Sequence, residues 1–425
     1  MTEHILTGFG FGPIQGGLFV KEAFQSGNFT RLVVAEIDTQ LVDAVKTNNG
    51  CYYINIAGQD GIEMLTIDNV EILNPNNPAD KQNLLQALAQ STEIITCLPS
   101  INFYQSGGEN SIATLIAEAF NNKTSKATII YTAENNNHAA EILQKAVIEK
   151  TDTLPARSIQ FLNTVIGKMS RVVTNPAEIK DLKLKTIAPG IDRAFLVEHF
   201  NRILVSRTRI PDFKPGIDVF IEKDDLLPFE EAKLFGHNAI HALLGFTAAL
   251  KGYKKMTELT NDPVVMQIGR EAFLRESGAA LIKKYYHIDD ELFTNSGFED
   301  FAEDLLTRMT NHYLGDTIAR VIRDITRKLE MNGRIFGTMQ LILEYGLEPK
   351  NMALGAIGGI ALLLQKANEY NLPGNLNVEQ WQQLDNTKIE KTIKWLWSCQ
   401  TNQYTDQIIK YTQAALKPLT VLIKQ

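Results

Sequence analysis

Between residues 230 and 242 the chain reads Glu230-Glu231-Ala232-Lys233-Leu234-Phe235-Gly236-His237-Asn238-Ala239-Ile240-His241-Ala242, which places an amine, a carboxamide and an imidazole close together. A lysine takes a proton from an alcohol only when it is neutral, so this chemistry needs a dry site or a nearby cation that draws the pKa toward working pH. A carboxamide N–H stabilises an oxygen that gains negative charge. On an α-helix, Asn238 and His241 lie roughly 140° and 80° around the axis from Lys233, with Lys233 and His241 about 12 Å apart along it. All three then face one broad arc, and a small substrate between them is within the lysine's reach. Two plainer readings stay open. Lys233 is also what a solvated surface lysine paired with Glu230 looks like, and His237 with His241 has the i, i+4 spacing of metal ligands. No glutamate follows His237 as in HExxH, so the expectation is no metal.

A second cluster lies at the start of the chain, in Gly8-Phe9-Gly10-Phe11-Gly12-Pro13-Ile14-Gln15-Gly16-Gly17. Glycines between a short apolar strand and a helix let backbone N–H groups approach a pyrophosphate. With Gly10 and Gly12 as the first two glycines, the third position is Gln15, and Gly17 follows two residues later. A side chain as large as Gln15 there is expected to loosen helix–strand packing or shift the turn. A tight loop without a ligand is the alternative. Glu36, at the end of the next apolar run, stands where a carboxylate takes the adenosine ribose hydroxyls, with Asp38 as a lesser substitute. The residues after Glu36 (Ile37-Asp38-Thr39-Gln40) offer no arginine for a 2′-phosphate, which favours NAD over NADP.

The elements that must hold these residues follow from the apolar pattern. Ile5-Leu6, Arg31–Glu36, Ile94–Leu98 and Ala127–Thr132 read as strands, separated by helix-length segments such as Gly17–Gln25 and Gln40–Thr47. This is the pattern of a parallel sheet covered on both faces, a doubly wound Rossmann-type domain. Val219-Phe220-Ile221 reads as a last strand. Beyond it the periodicity is helical, over Phe229–Leu250, Asp262–Lys284 and Asp316–Leu329. The expected fold is therefore α/β followed by all-α: residues 1–222 a nucleotide-binding domain, and residues 223–425 a mostly helical substrate domain.

A chain of 425 residues is long enough for two cores. The net charge of −7 provides no general basic surface for a phosphate backbone, which argues against a nucleic-acid partner. Cys51, Cys97 and Cys399 stand far apart with no ligand spacing, consistent with a reducing cytoplasm. The amino terminus lacks the basic and apolar regions of a signal peptide. The uncharged run Met352–Leu364 is too short to cross a bilayer and reads as a buried helix. No membrane partner is expected, and nothing in these residues fixes the oligomeric state.

Lys233-x4-Asn238-x2-His241 behind a glycine-rich nucleotide segment resembles the signature of the polyol-specific long-chain dehydrogenases. Lys233-Leu234-Phe235, His241-Ala242, Leu244-Gly245, Glu276–Lys283, Arg327-Lys328-Leu329 and Leu343–Asn351 look especially like the mannitol-1-phosphate 5-dehydrogenase branch. The resemblance covers residues 1 to about 365. It implies an NAD-linked, metal-independent exchange between a polyol or its phosphate and a ketose or its phosphate, with mannitol 1-phosphate and fructose 6-phosphate as the foremost pair. By the same resemblance Lys233 is the general base, Asn238 and Asn135 polarise the oxygen, and His241 contacts the substrate. Asn135 lies in Thr132-Ala133-Glu134-Asn135, where the family has Cys-Glu-Asn; a plain loop asparagine is the alternative. Basic residues anchor substrate in the relatives, and the candidates are Arg323, Arg327 and Lys328, the two arginines sharing a face if the segment is helical; a charged solvent face is the alternative. Relatives are often monomers. Two other functions stay open, a tagaturonate or fructuronate reductase of the same family and a non-catalytic NAD-binding sensor.

Overall fold

The computed structural model describes residues 4–121, 126–151, 158–376, 378 and 380–424. The chain divides into two compact units, Met1–Leu227 and Pro228–Gln425.

The first unit contains strands β1 His4–Phe9, β2 Phe29–Ala35, β3 Tyr52–Ala57, β4 Ile62–Ile67, β5 Val70–Leu73, β6 Glu93–Thr96, β7 Thr128–Thr132, β8 Ile159–Ile166, β9 Ser170–Val173, β10 Ala194–Glu198, β11 Ile203–Ser206 and β12 Phe220–Lys223. Eight form one sheet in the order β12-β11-β8-β7-β6-β1-β2-β5. The run β5-β2-β1-β6-β7-β8 is parallel throughout, and β11 joins β8 antiparallel. This is the doubly wound, Rossmann-type arrangement anticipated from the alternating pattern. The order reverses between β1 and β6, where such sheets open a crevice at the carboxyl ends of their strands. Ile94, Ile95, Ile129 and Ile130 are fully buried, as expected of central strands covered on both faces.

A second sheet, β4-β3-β10-β9, was not signalled by the strand–helix alternation. Its central pair, β3 and β10, is parallel although the two strands are far apart in sequence. Such a pairing has no local signature. Gly17 depends on it, since a Cβ there would meet Val197 Cγ1 of β10 at 2.5 Å.

The second unit is helical, as the periodicity of its segments predicts. Two of its long helices contain a π-turn, at Ala232–Asn238 and at Ala272–Gly278. The two π segments pack closely, because a Cβ on Gly236 would lie 2.9 Å from Phe273 Cε2. The run Met352–Leu364 lies within the helix Lys350–Gln365 and is buried along its whole length. Among the described residues, no helix is long and apolar enough to cross a membrane. Glu276 ties that helix down by accepting from the amides of Asn351 (2.6 Å) and Met352 (2.9 Å). Two of the segments that carry the family resemblance thus meet at a buried helix N-terminus, where a carboxylate satisfies otherwise orphaned N–H groups.

One expectation is overturned. Asp316–Leu329 is not a continuous helix but two single turns, Ile318–Val321 and Ile325–Lys328. Asp324 between them has φ +57°, a left-handed conformation that ends one helix and restarts another. The shared i, i+4 face of Arg323 and Arg327 is therefore lost.

Candidate active site

In the first unit, a pocket of about 790 Å³ opens at the carboxyl ends of β1, β2, β6 and β7. Gly10, Gly12, Pro13, Ile14, Gln15, Glu36, Asp38 and Asn135 all line it; Gly17 does not. Gly10 turns the chain with φ +80°, and a Cβ there would lie 2.7 Å from the Cys97 carbonyl oxygen, so only glycine fits. Gly12 has open space beside it. The helix starts at Pro13, whose missing N–H is no loss at that position. Glu36 fastens the glycine turn to the end of β2: one carboxylate oxygen accepts from Phe11 N at 2.7 Å, the other from Ile37 N at 2.7 Å and Asp38 N at 2.9 Å. Open backbone at a helix N-terminus beside a fixed carboxylate suits a dinucleotide, with the pyrophosphate on the turn and ribose hydroxyls donating to Glu36.

Gln15 shifts the turn as its size demands. The helix passes through a π-turn at Gln15–Phe19, and the side chain lies over Gly8 of β1, where a Cβ would sit 1.9 Å from Gln15 Nε2. The missing third glycine is compensated by a glycine on the facing strand. Gln15 is fully buried with neither amide atom hydrogen-bonded among the described residues.

Beside Asn135, the buried Glu134 joins the loops after β6 and β7, accepting from Tyr104 Oη (2.5 Å), Thr96 Oγ1 (2.9 Å) and Leu98 N (2.9 Å). Burial pushes its carboxyl up, against these hydrogen bonds. Glu134 and Tyr104 were missed by sequence reasoning, although the glutamate adjoins a flagged asparagine.

In the second unit, Lys233 and Asn238 both lie in the π-turn Ala232–Asn238, and His241 follows on the helix Ala239–Leu250. Hydrogen bonding from i to i+5 stacks residues five apart, so Asn238 comes closer above Lys233 than the angle of an ordinary α-helix gives. Burial and then the charge of Arg334 draw the Lys233 amine down to about 8, against Glu230. His237 is buried, and burial with the charges of His241 and Arg308 holds it well below the usual imidazole range. Among the described residues, no cluster of His, Cys, Asp or Glu is arranged to hold a metal ion.

His241 Nε2 lies 3.5 Å from the buried Asp316 Oδ2, and Asp316 is gripped by Arg320 through two bonds of 2.7 and 2.8 Å. Burial raises the Asp316 carboxyl, but His241 and Arg320 outweigh it and hold it at about 2. At this distance Nε2 makes no hydrogen bond among the described residues, but a carboxylate facing it draws an N–H there, which leaves Nδ1 to accept from a hydroxyl.

Of the three predicted anchors, Lys328 is buried while Arg323 and Arg327 are exposed. Burial and the charge of Arg334 bring Lys328 to about 8; burial and Arg327 bring Arg334 to about 10. Among the described residues, no carboxylate lies within ion-pair distance of Arg327, Lys328 or Arg334. Arg334 was missed because it lies six residues beyond the paired basic residues, in a turn without periodicity. Its charge lowers both Lys233 and Lys328, while the Asp324 carboxylate opposes it at Lys328.

Comparison with known proteins bears on this arrangement. Residues 225–409 match the model of the mannitol dehydrogenase C-terminal domain. Over 355 residues the chain is 28% identical to a mannitol-1-phosphate 5-dehydrogenase of Thermoanaerobacter pseudethanolicus, covering 83% of this chain and 84% of that one. The chain is thus similar to polyol dehydrogenases along most of its length. A mannitol-1-phosphate 5-dehydrogenase of Aspergillus fumigatus is 26% identical over 373 residues, covering 86% of each chain. Among solved structures, a D-sorbitol dehydrogenase in substrate-free form matches with TM-score 0.78 at 15% identity, over 99% of this chain and 94% of that one. Pseudomonas fluorescens mannitol 2-dehydrogenase, in a ternary complex with NAD and D-mannitol, matches with TM-score 0.68 at 16% identity, over 100% and 94%. At these identities the two structures speak to the fold alone.

Proposed function

We propose that this protein is a polyol dehydrogenase that uses NAD to interconvert a polyol phosphate and a ketose phosphate, with mannitol 1-phosphate and fructose 6-phosphate the foremost pair. The observation that carries this reading is the Lys233 amine, held at about 8 by burial and the charge of Arg334. An amine with that pKa is neutral in roughly one molecule in five near pH 7.4 and can then accept a proton, whereas an ordinary lysine is neutral in about one in a thousand. Lys328 and Arg334 suit the phosphate of a sugar phosphate. NAD, when bound, supplies the hydride acceptor.

In the oxidative direction Lys233 Nζ takes the hydroxyl proton while hydride leaves the same carbon, and the C–O bond becomes a carbonyl. In reduction the protonated amine returns its proton to the oxygen. The Asn238 side-chain amide donates to that oxygen while its negative charge grows. His241, held by Asp316, accepts from a neighbouring hydroxyl and fixes the sugar's orientation. In the first unit, Glu36 takes ribose hydroxyls, the Gly10–Gly12 turn cradles the pyrophosphate, and Asn135 offers its amide to a polar atom in the same pocket. Lys233 and Asn238 together meet the demands, proton acceptance and oxyanion stabilisation, that zinc meets in other dehydrogenases.

The test is NADH oxidation at 340 nm with fructose 6-phosphate, fructose, tagaturonate and fructuronate, with Lys233→Ala as control. Turnover of the phosphate that vanishes in the variant is the expected result. Preference for a uronate transfers Lys328 and Arg334 to a carboxylate and overturns the substrate assignment. Tight NADH binding without turnover of any ketose makes the protein a sensor.

A further inference from the structure

Arg193, immediately before β10, is the only cation among the described residues that line the pocket at the carboxyl ends of β1, β2, β6 and β7. It is 155 residues from Asp38 in sequence, and the second sheet brings the two together. The Asp38 carboxylate does two things: Oδ1 caps the helix Thr39–Thr47 by accepting from Leu41 N at 3.1 Å, and Oδ2 pairs with the Arg193 guanidinium. The guanidinium in turn holds the Asp38 carboxyl below the usual carboxylate range. Each side chain of the pair is 34% exposed, so solvent and ligand reach both. Glu36 is immobilised alongside by three backbone amides. Two carboxylates and one guanidinium leave this end of the pocket with one net negative charge.

We propose that Arg193 is a latent anchor for a phosphate on the adenosine ribose, and that Asp38 withholds it, so this ion pair together with Glu36 sets the pocket's preference for NAD over NADP. The inference rests on reading the pocket as a dinucleotide site. An ion pair that solvent reaches on both sides, as here, is weak and exchanges partners readily. A guanidinium released from Asp38 can bind a phosphate bidentately. The preference is therefore set by an arginine already in use, which the sequence beside Glu36 does not reveal.

The experiment is a substrate-free titration of wild-type protein, Asp38→Asn and Asp38→Asn/Arg193→Gln with NADH and NADPH, read by nicotinamide fluorescence and calorimetry. Asparagine also caps helices, so Asp38→Asn keeps the helix start, and thermal unfolding checks that it does. Wild type is expected to bind NADH well in preference to NADPH. Asp38→Asn should improve the NADPH-to-NADH affinity ratio by roughly tenfold or more, the worth of a charge-assisted contact. Arg193→Gln added to it should remove the gain. An unchanged ratio in Asp38→Asn, a gain that survives loss of Arg193, or wild type binding both dinucleotides equally would each overturn the proposal. Failure of wild type to bind either dinucleotide would instead overturn the nucleotide reading of the pocket, and the proposal with it.

Discussion

Replacing Lys233 with methionine is expected to remove turnover and to make the second unit more stable at neutral pH. Burial and Arg334 bring the amine from 10.5 to about 8. At about 1.4 kcal/mol for each tenfold change in proton affinity, the drop corresponds to about 3 kcal/mol, a ceiling because Lys233 is only partly buried. The sign follows from proton uptake. Between pH 8 and 10.5 the unfolded chain keeps the lysine proton and the folded chain has released it, so wild-type stability rises with pH across that window. Below pH 8 the full cost is present, and above 10.5 it is gone. Methionine is an unbranched side chain one atom shorter and carries no charge, so its advantage should be largest near pH 7 and shrink toward pH 10.5. Any gain from its apolar surface is the same at every pH. Urea unfolding of wild type and Lys233→Met at pH 7, 9 and 10.5, with hydrogen exchange followed in residues 228–250, separates the two contributions. A stability difference that does not change with pH would refute the claim that this amine is strained toward neutrality.

Three further outcomes are expected. Arg334→Gln should move the ascending limb of the kcat/KM profile upward by up to about one pH unit, since Arg334 is the lesser of two causes lowering Lys233, and should raise KM for a phosphorylated substrate; an unmoved limb would exclude coupling of the two cations. Asp316→Asn should cost about 2 kcal/mol at pH 7, from a carboxyl drawn from 3.8 to about 2. That stability is present above pH 3.8 and lost as pH falls to 2, so acid titration of the two proteins should converge there; KM for the polyol should rise as His241 loses its anchor. Gln15→Met should stabilise the first unit by about 1 kcal/mol in thermal unfolding, because it replaces a buried amide lacking hydrogen bonds with an apolar chain of similar size; a loss of stability would mean the amide is satisfied in solution.

Much of the fold was legible because its signals are local. The parallel strands are short β-branched runs, and the helix Lys350–Gln365 is an unbroken apolar stretch. The glycine run and Glu36 share one pocket because a strand, a turn and a helix contiguous in sequence can do little else. The three residues at 233, 238 and 241 fall on one helical segment for the same reason. What escaped depends on partners distant along the chain. Arg193 reaches Asp38 only through the pairing of β3 with β10, and Asp316 reaches His241 from 75 residues away. The helix expected over Asp316–Leu329 failed because a single left-handed residue, Asp324, breaks it where periodicity alone shows no interruption.

The sequence by itself determined which groups are available: a lysine, an asparagine and a histidine at helical spacing, a glycine turn before a carboxylate, and basic residues further on. It also marked the central parallel strands and most of the long helices, since hydrophobic period and turn residues act over a few positions, but not the second sheet. Only the tertiary structure decided what those groups can do. A lysine's pKa depends on which surfaces cover it and which cations face it, and here that cation is Arg334. A histidine's tautomer depends on the carboxylate at its other nitrogen, here Asp316. Burial and charge proximity are properties of folded space, and spacing along the chain does not encode them.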